Sequence, residues 1–504
     1  MQKKYILTQS VPQLLIILLA FFVQFTDKAG SPHIALSPQA LNKRAEHGIA
    51  IDSLDYAVSP IYIDSLQALG CHIYHTSRWL NGATIEADQH TAQHIAEWAF
   101  VDTIFLTRQL RDDNLHEGEE APFGIPSISL RKRQVDNEDI KDNSDNHSAD
   151  QHCLRQELTW LSDPQTEQLN LHLLHEAGFH GQGIILCVID GGFQNINNLS
   201  AFDAVREQIL GIYDTTDDRD SVTGPTGSHG TKCFSTIAAI TPEYQGAATS
   251  ANYYLIRSEE YYTESPKEMD NWVTAIELAD SLGVDIVSSS LGYAMFDDQR
   301  FTLSYTDMDG QTTRCTQAAN IAVRKGMLVI VAAGNEGDNT WHYISAPSDA
   351  EDIITVGAVD QYDSIAKFSS WGPTADGRTK PEVCARGYQT AVINTMNSSV
   401  VYGNGTSFAC PIIAGMAACL WSALPQASNM EIRELIIRSA DRYHQPHNQY
   451  GYGIPDAWKA YCQPTDLPIN IENDQLKARK VLINGTIWIL HNGNRYNVMG
   501  QKKG

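Results

Sequence analysis

Among its nine cysteines the sequence has no C-x-x-C pair, so a paired-cysteine zinc site is not expected. Basic residues are scarce: 36 Lys and Arg stand against 60 Asp and Glu, a net charge of −24. That balance argues against nucleic acid and anionic membrane surfaces as partners and leaves a solvated acidic surface as the plain reading. No internal repeat is present, which sets repeat arrays aside. The N-terminal apolar run Leu14–Val23 is too short for a membrane span. It follows Lys3 and Lys4, is closed by Gln24, Thr26 and Asp27, and suits a signal-peptide core. Residues 1–30 are therefore expected to direct export, to the periplasm, cell surface or medium. The cut is expected near Ala29-Gly30, with an uncleaved anchor as the other option. An exported chain can form disulfides, but spacing does not reveal their pairing.

What remains has a globular composition, with 42% hydrophobic and 19% charged residues. The 504 residues allow one large catalytic domain with accessory pieces. Residues 31–110 read as a small α+β module. It has a helix at Tyr62–Gly70, strands at Cys71–Thr76 and Ala83–Glu86, a helix at Thr91–Trp98 and a strand at Val101–Leu106. Residues 111–165 form an acidic linker with Pro122 and Pro126. Its triplet Arg131-Lys132-Arg133 either balances charge or marks a processing site. Over 166–462 strands and helices alternate. The apolar run Gly183–Asp190 leads, and strands follow at Asn252–Arg257, Val284–Ser288, Met327–Ala332 and Ile353–Val359. This predicts an α/β fold, a doubly wound and mostly parallel sheet whose active site gathers at the carboxyl ends of strands. Residues 463–504 read as a short β meander turned at Asn484-Gly485 and Asn492-Gly493.

The chemistry centres on Asn404-Gly405-Thr406-Ser407-Phe408-Ala409-Cys410-Pro411, where a small-residue turn delivers one serine to the start of an apolar helix. The helix end supplies unpaired N–H groups and a partial positive charge for an oxyanion. A serine hydroxyl needs a base, an orienter and a further oxyanion donor. Asp190 closes the first strand, His229 opens a helix in Ser228-His229-Gly230-Thr231, and Asn335 follows a strand in Ala332-Ala333-Gly334-Asn335. Each fragment alone is an ordinary turn, cap or surface histidine. Their order and their placement at strand ends and helix starts give them weight together.

On these boxes the chain resembles subtilisin-family (subtilase, S8-type) serine endopeptidases over roughly residues 170–460. It is similar to secreted Bacteroidetes members that carry an N-terminal propeptide. The resemblance implies a subtilisin-like fold, with Asp190 orienting, His229 as general base, Ser407 as nucleophile, and Asn335 with the Ser407 N–H as oxyanion hole. Ser290-Leu291-Gly292 and Ala332-Ala333-Gly334 would wall an open apolar pocket that takes peptide by strand addition. Residues 31–110 would be an inhibitory propeptide, and Gly451-Tyr452-Gly453 a closing segment. The last residues resemble the C-terminal tails of exported proteins, so the meander would be a sorting remnant. Cys233, one helical turn after His229, matches the cysteine of thiol-dependent members and would lie beneath the imidazole as a modulatory thiol. A small buried hydrophobe is the alternative.

Three positions depart from the family pattern: Gly191 replaces a hydroxyl residue after Asp190, Lys232 a second histidine, and Arg386 a proline. None removes a catalytic atom. The expected partners are peptide or protein substrates and the chain's own propeptide, on a monomer. No cofactor is required. Calcium is common in the family, but Asp307-Met308-Asp309-Gly310 is too short to count as its loop. The competing reading is a catalytically impaired surface protein that binds peptides in the retained groove. An intracellular amidase or esterase is a third class.

Overall fold

The computed structural model describes residues 18–31, 33–109, 160–216, 221–225 and 227–463, with tail strands at 479–483, 486–491, 494–497 and 502–503. Most of the expected linker, the Arg131-Lys132-Arg133 triplet, the front of the export signal and both Asn-Gly turns of the tail lie outside the described residues.

The N-terminal domain contains β1 (Leu19–Phe25), α1 (Pro38–Glu46), α2 (Pro60–Ala68), β2 (His72–Ser77), β3 (Gly82–Ala87), α3 (Gln89–Ile95) and β4 (Val101–Gln109). Its four strands form one antiparallel sheet in the order β2-β3-β1-β4. Two elements correct the sequence reading. Helix α1 had no counterpart in it. More consequentially, residues 19–25, placed inside an export signal ending near Gly30, form the inner strand β1. A strand buried on both faces is as continuously apolar as a signal core. Phe21, Val23 and Phe25 point into the domain's own core with Leu66, Ile85 and Ile95, while Phe22 points the other way, toward the large domain. The module therefore begins at β1, upstream of residue 31.

The large domain opens with α4 (Asp163–Glu167) and α5 (His172–Glu176), then β5 (Ile185–Asp190), β6 (Ile209–Asp214) and α6 (Ser228–Ala238). A small hairpin, β7 (Ile240–Thr241) with β8 (Tyr244–Gln245), leads to β9 (Asn252–Arg257), α7 (Lys267–Leu282) and β10 (Ile286–Ser289). Next come α8 (Arg314–Arg324), β11 (Leu328–Ala332), β12 (Ile354–Val359) and β13 (Val383–Arg386). The hairpin β14 (Thr390–Ile393) and β15 (Val400–Gly403) precedes α9 (Thr406–Ala423), α10 (Asn429–Ser439) and α11 (Ala457–Cys462). Strands β16 (Arg479–Ile483), β17 (Thr486–His491), β18 (Asn494–Asn497) and β19 (Lys502–Lys503) form the antiparallel tail.

Seven strands, all parallel, make the main sheet in the order β13-β12-β11-β10-β5-β9-β6. Both faces are covered, so the strands read as apolar runs. In β5 the side chains alternate: Leu186 and Val188 enter the core shared with α6 and α9, while Ile185, Cys187 and Ile189 enter the one shared with α7 and α8. Helix α9 is apolar around its circumference and is buried from Thr406 to Trp421, as a central helix must be. The N-terminal domain docks on the α7/α8 face, where Phe22, Trp79 and Leu80 join the cluster of Trp272, Val273 and Ile276. Ion pairs seal that junction: Arg44 and Arg78 to Asp280, Arg78 to Glu277, and Lys325 to Asp55. The eight described cysteines are unpaired thiols.

Candidate active site

Strand β5 lies inside the sheet and ends on Asp190, which is fully buried. Helix α6 starts directly beside it, because glycines on both sides remove the Cβ atoms that would hold the two backbones apart. A Cβ on Gly230 would stand 2.9 Å from Asp190 Cβ, and Gly227, at φ 77°, caps the helix against Gly192. His229 thereby brings Nδ1 to 2.7 Å from Asp190 Oδ1. The same carboxylate oxygen accepts the Gly191 N–H at 2.7 Å. Asp190 Oδ2 is buried and accepts no hydrogen bond among the described residues. The His229 side chain keeps 43% of its surface open on the other side.

Ser407 sits in the first turn of α9 after Gly405, whose φ of 154° marks the sharp entry into the helix. Ser407 is buried, with 8% of its surface open, and the helix start leaves its N–H without an intrahelical partner. Among the described residues Ser407 Oγ makes no hydrogen bond to His229. The link between them is Cys233. Its Sγ lies 3.7 and 3.9 Å from the two ring nitrogens of His229 and 3.3 Å from the Ser407 carbonyl oxygen. The thiol thus stands under the imidazole as the i, i+4 spacing predicts. Burial first, and then the Asp190 charge, hold its pKa well above the ordinary thiol value. It remains a protonated donor and not a competing nucleophile.

Asn335 follows β11 and is exposed. Its Oδ1 accepts the Thr406 N–H at 2.9 Å and the Thr406 hydroxyl at 3.0 Å. This fixes the amide, so Nδ2 is left to donate elsewhere. Thr406, which the sequence reading quoted but gave no role, is thus a positioning residue, and its hydroxyl also contacts the Gly334 carbonyl at 3.1 Å.

The expected pocket walls leave adjacent strands, β10 and β11. Leu291, Ala332 and Ala333 are buried, Gly334 is half-buried and Gly292 is exposed. Ser290 departs from the expectation: it is buried, and its hydroxyl donates to the Ser407 carbonyl at 2.8 Å. Arg386 staples its own turn, its Nε donating to the Tyr388 carbonyl at 2.7 Å. A cavity of about 440 Å³ lies among Arg378, Lys380, Glu382 and Arg433, and no expected site residue lines it. The carboxylates of Asp307 and Asp309 accept hydrogen bonds from the backbone N–H groups of Ser304, Gln311 and Thr312.

Residues 181–453 match the subtilase family, Peptidase S8. Residues 20–121 match the Peptidase S8 propeptide domain of Bacteroidota, which agrees with a module that includes β1. The chain is 32% identical over 235 residues to the thermophilic serine proteinase of Bacillus sp. (strain AK1), covering 46% of this chain and 52% of that protein. It is 28% identical over 338 residues to the serine protease AprX of Bacillus subtilis, covering 60% and 72%. It is 27% identical over 382 residues to the thermostable alkaline protease of Halalkalibacterium halodurans, covering 75% and 90%. Among solved structures, MycP1 from the ESX-1 type VII secretion system aligns over 60% of this chain and 86% of its own, with a TM-score of 0.48 and 18% identity.

Proposed function

The chain belongs to the subtilase family, and on that premise we propose that it is an exported serine endopeptidase made with an inhibitory propeptide. The observation that carries the reading is the meeting of Asp190 and His229 at 2.7 Å beside Cys233, which also touches the Ser407 carbonyl. Ser407 Oγ attacks the peptide carbonyl while His229 Nε2 takes its proton. Asp190 keeps the other ring nitrogen protonated and balances the imidazolium that forms. The oxyanion is met by the Ser407 N–H and by Asn335 Nδ2, whose direction Thr406 has set in advance. His229 returns its proton to the leaving amine, and water then releases the acyl group by the same route. Catalytic hydrogen bonds often tighten only with substrate present, so the open Ser407 Oγ fits a resting site. None of these steps calls on a cofactor.

Peptide would lie along 290–292 and 332–334. The N-terminal domain on α7 and α8 would act as the intramolecular inhibitor. Cys233 would make the enzyme sensitive to mercurials that displace His229, and Cys233→Val would abolish that sensitivity. A fluorophosphonate probe tests the central reading. It should label Ser407 in the processed protein, with no labelling of Ser407→Ala. A processed, folded protein that resists the probe and leaves casein intact would overturn it.

A further inference from the structure

In α9 the Ser407 carbonyl faces position 411, four residues on, where a regular helix would supply an N–H. That residue is Pro411, inside the helix. Proline has no N–H, and its ring presses on the carbonyl one turn back. The Ser407 carbonyl is thus deprived of its regular helical donor and turned outward, in a buried place where a missing partner is costly. Two side chains from other elements meet it. Ser290 Oγ donates at 2.8 Å from just beyond β10, and Cys233 Sγ donates at 3.3 Å from α6. Strand β10 is hydrogen-bonded to β5, which ends on Asp190, and α6 carries His229. The carbonyl of the nucleophile is therefore held by the two elements that bear or adjoin its partners.

We propose that Ser290 is a positioning residue for Ser407. Pro411 frees the carbonyl, the Ser290 hydroxyl captures it, and the Cys233 thiol is the second, weaker donor. This clamp sets the first turn of α9, and with it the placement of both the Ser407 Oγ and the Ser407 N–H. It rests on the protease reading above, and it gives Ser290 a task other than walling the substrate pocket. A wall residue contributes to binding and acts on KM. A residue that aims the nucleophile acts on kcat.

The experiment uses processed enzyme carrying Ser290→Ala, Ser290→Thr, Pro411→Ala or Ser290→Ala with Pro411→Ala. It reads kcat and KM on a chromogenic peptide and the rate of fluorophosphonate labelling. Ser290→Ala should lower kcat and the labelling rate roughly tenfold, the worth of one hydrogen bond, with KM within about twofold. Ser290→Thr keeps the hydroxyl and should recover most of the rate. With Pro411→Ala the helix regains an N–H for the carbonyl, so adding Ser290→Ala should then cost less than about threefold. A raised KM at constant kcat in Ser290→Ala, or an equal cost on both backgrounds, overturns the proposal. Should Ser290→Ala fail to fold alone, the double variant against Pro411→Ala decides: equal rates support the clamp, and a tenfold loss refutes it. A wild-type enzyme without labelling at Ser407 sinks the protease reading itself, whereas an active wild type with a KM effect sinks only this inference.

Discussion

Arg78 of the N-terminal domain and Asp280 of α7 form an ion pair of 2.6 Å in which both side chains are almost sealed from water. Asp280 also takes Arg44 at 2.8 Å, and Arg78 reaches Glu277 at 3.4 Å. Burial raises the pKa values of Asp280 and Glu277; Arg44 and Arg78 pull Asp280 back, and Arg78 pulls Glu277 back. Removing one member strands the others, which typically costs about 3–5 kcal/mol. In a full chain kept uncut by Ser407→Ala, Arg78→Ala should loosen the N-terminal domain. Hydrogen exchange in β3 should rise well before that in β5. Equal protection of β3 with and without Arg78 would show that the apolar contact of Phe22 and Trp79 is sufficient for docking.

Asp190→Asn should preserve the fold and cut kcat by about 10⁴-fold with little change in KM. The amide carries no charge and can present its NH2 to His229 Nδ1, which favours the wrong tautomer. Steady-state hydrolysis of a peptide p-nitroanilide reads this directly. A loss under tenfold would mean that His229 is oriented by something other than Asp190.

The sheet and the meeting of Asp190 with His229 were legible because their signals are local. β5, β9, β11 and β12 are apolar runs of strand length, and each site box carries its small residues with it. The i, i+4 spacing placed Cys233 under His229. What escaped depended on partners distant in sequence. β1 and a signal core share one composition, and only the neighbours β3 and β4 tell them apart. Ser290 reads as part of a substrate-pocket wall until the Ser407 carbonyl stands 2.8 Å away. The clue that was present is Pro411, which announces a carbonyl in need of an outside donor.

Asn335→Leu removes the oxyanion donor while keeping the volume close, and kcat should fall by about 10²–10³ with KM nearly constant. Thr406→Val tests how the amide is held. It deletes the 3.0 Å bond from the hydroxyl to Asn335 Oδ1 and leaves the 2.9 Å bond from the backbone. Its expected cost is smaller, about tenfold, and again in kcat. A rise in KM for either variant would place the residue in substrate binding instead.

His175 on α5 gives the fold an acid limit. Its Nε2 lies 2.8 Å from the Ala247 carbonyl, and the rings of His180 and the thiol of Cys419 pack beside it. Burial lowers its pKa to about 4, with His180 and His172 adding in the same direction. Between its ordinary value near 6.5 and about 4, the unfolded chain therefore binds a proton that the native state refuses. Stability is full above pH 6.5, falls as the pH drops through this window, and levels off below it, with at most about 3 kcal/mol lost. His175→Gln keeps a donor for Ala247 and should flatten that portion of the pH–stability curve from urea titrations. An unchanged slope would assign the acid sensitivity to other groups.

The position of β1 limits where an exported precursor can be cut. Val23 is fully buried, and the strand pairs along its length with β3 on one side and β4 on the other. Cleavage near Ala29-Gly30 would leave β3 and β4 as separate edges and strip Phe21, Val23 and Phe25 from the core they share with Tyr62, Leu66, Ile85 and Ile95. A sheet so divided does not hold its register. The N-terminus of the uncut zymogen, isolated as Ser407→Ala from the export host, should therefore lie upstream of β1 and leave the strand whole. Val23→Asp, which buries an unpaired charge in the same strand, should abolish accumulation of that zymogen. A stable zymogen beginning at Gly30 would show that β1 is dispensable, and the N-terminal domain would then have to stand on three strands.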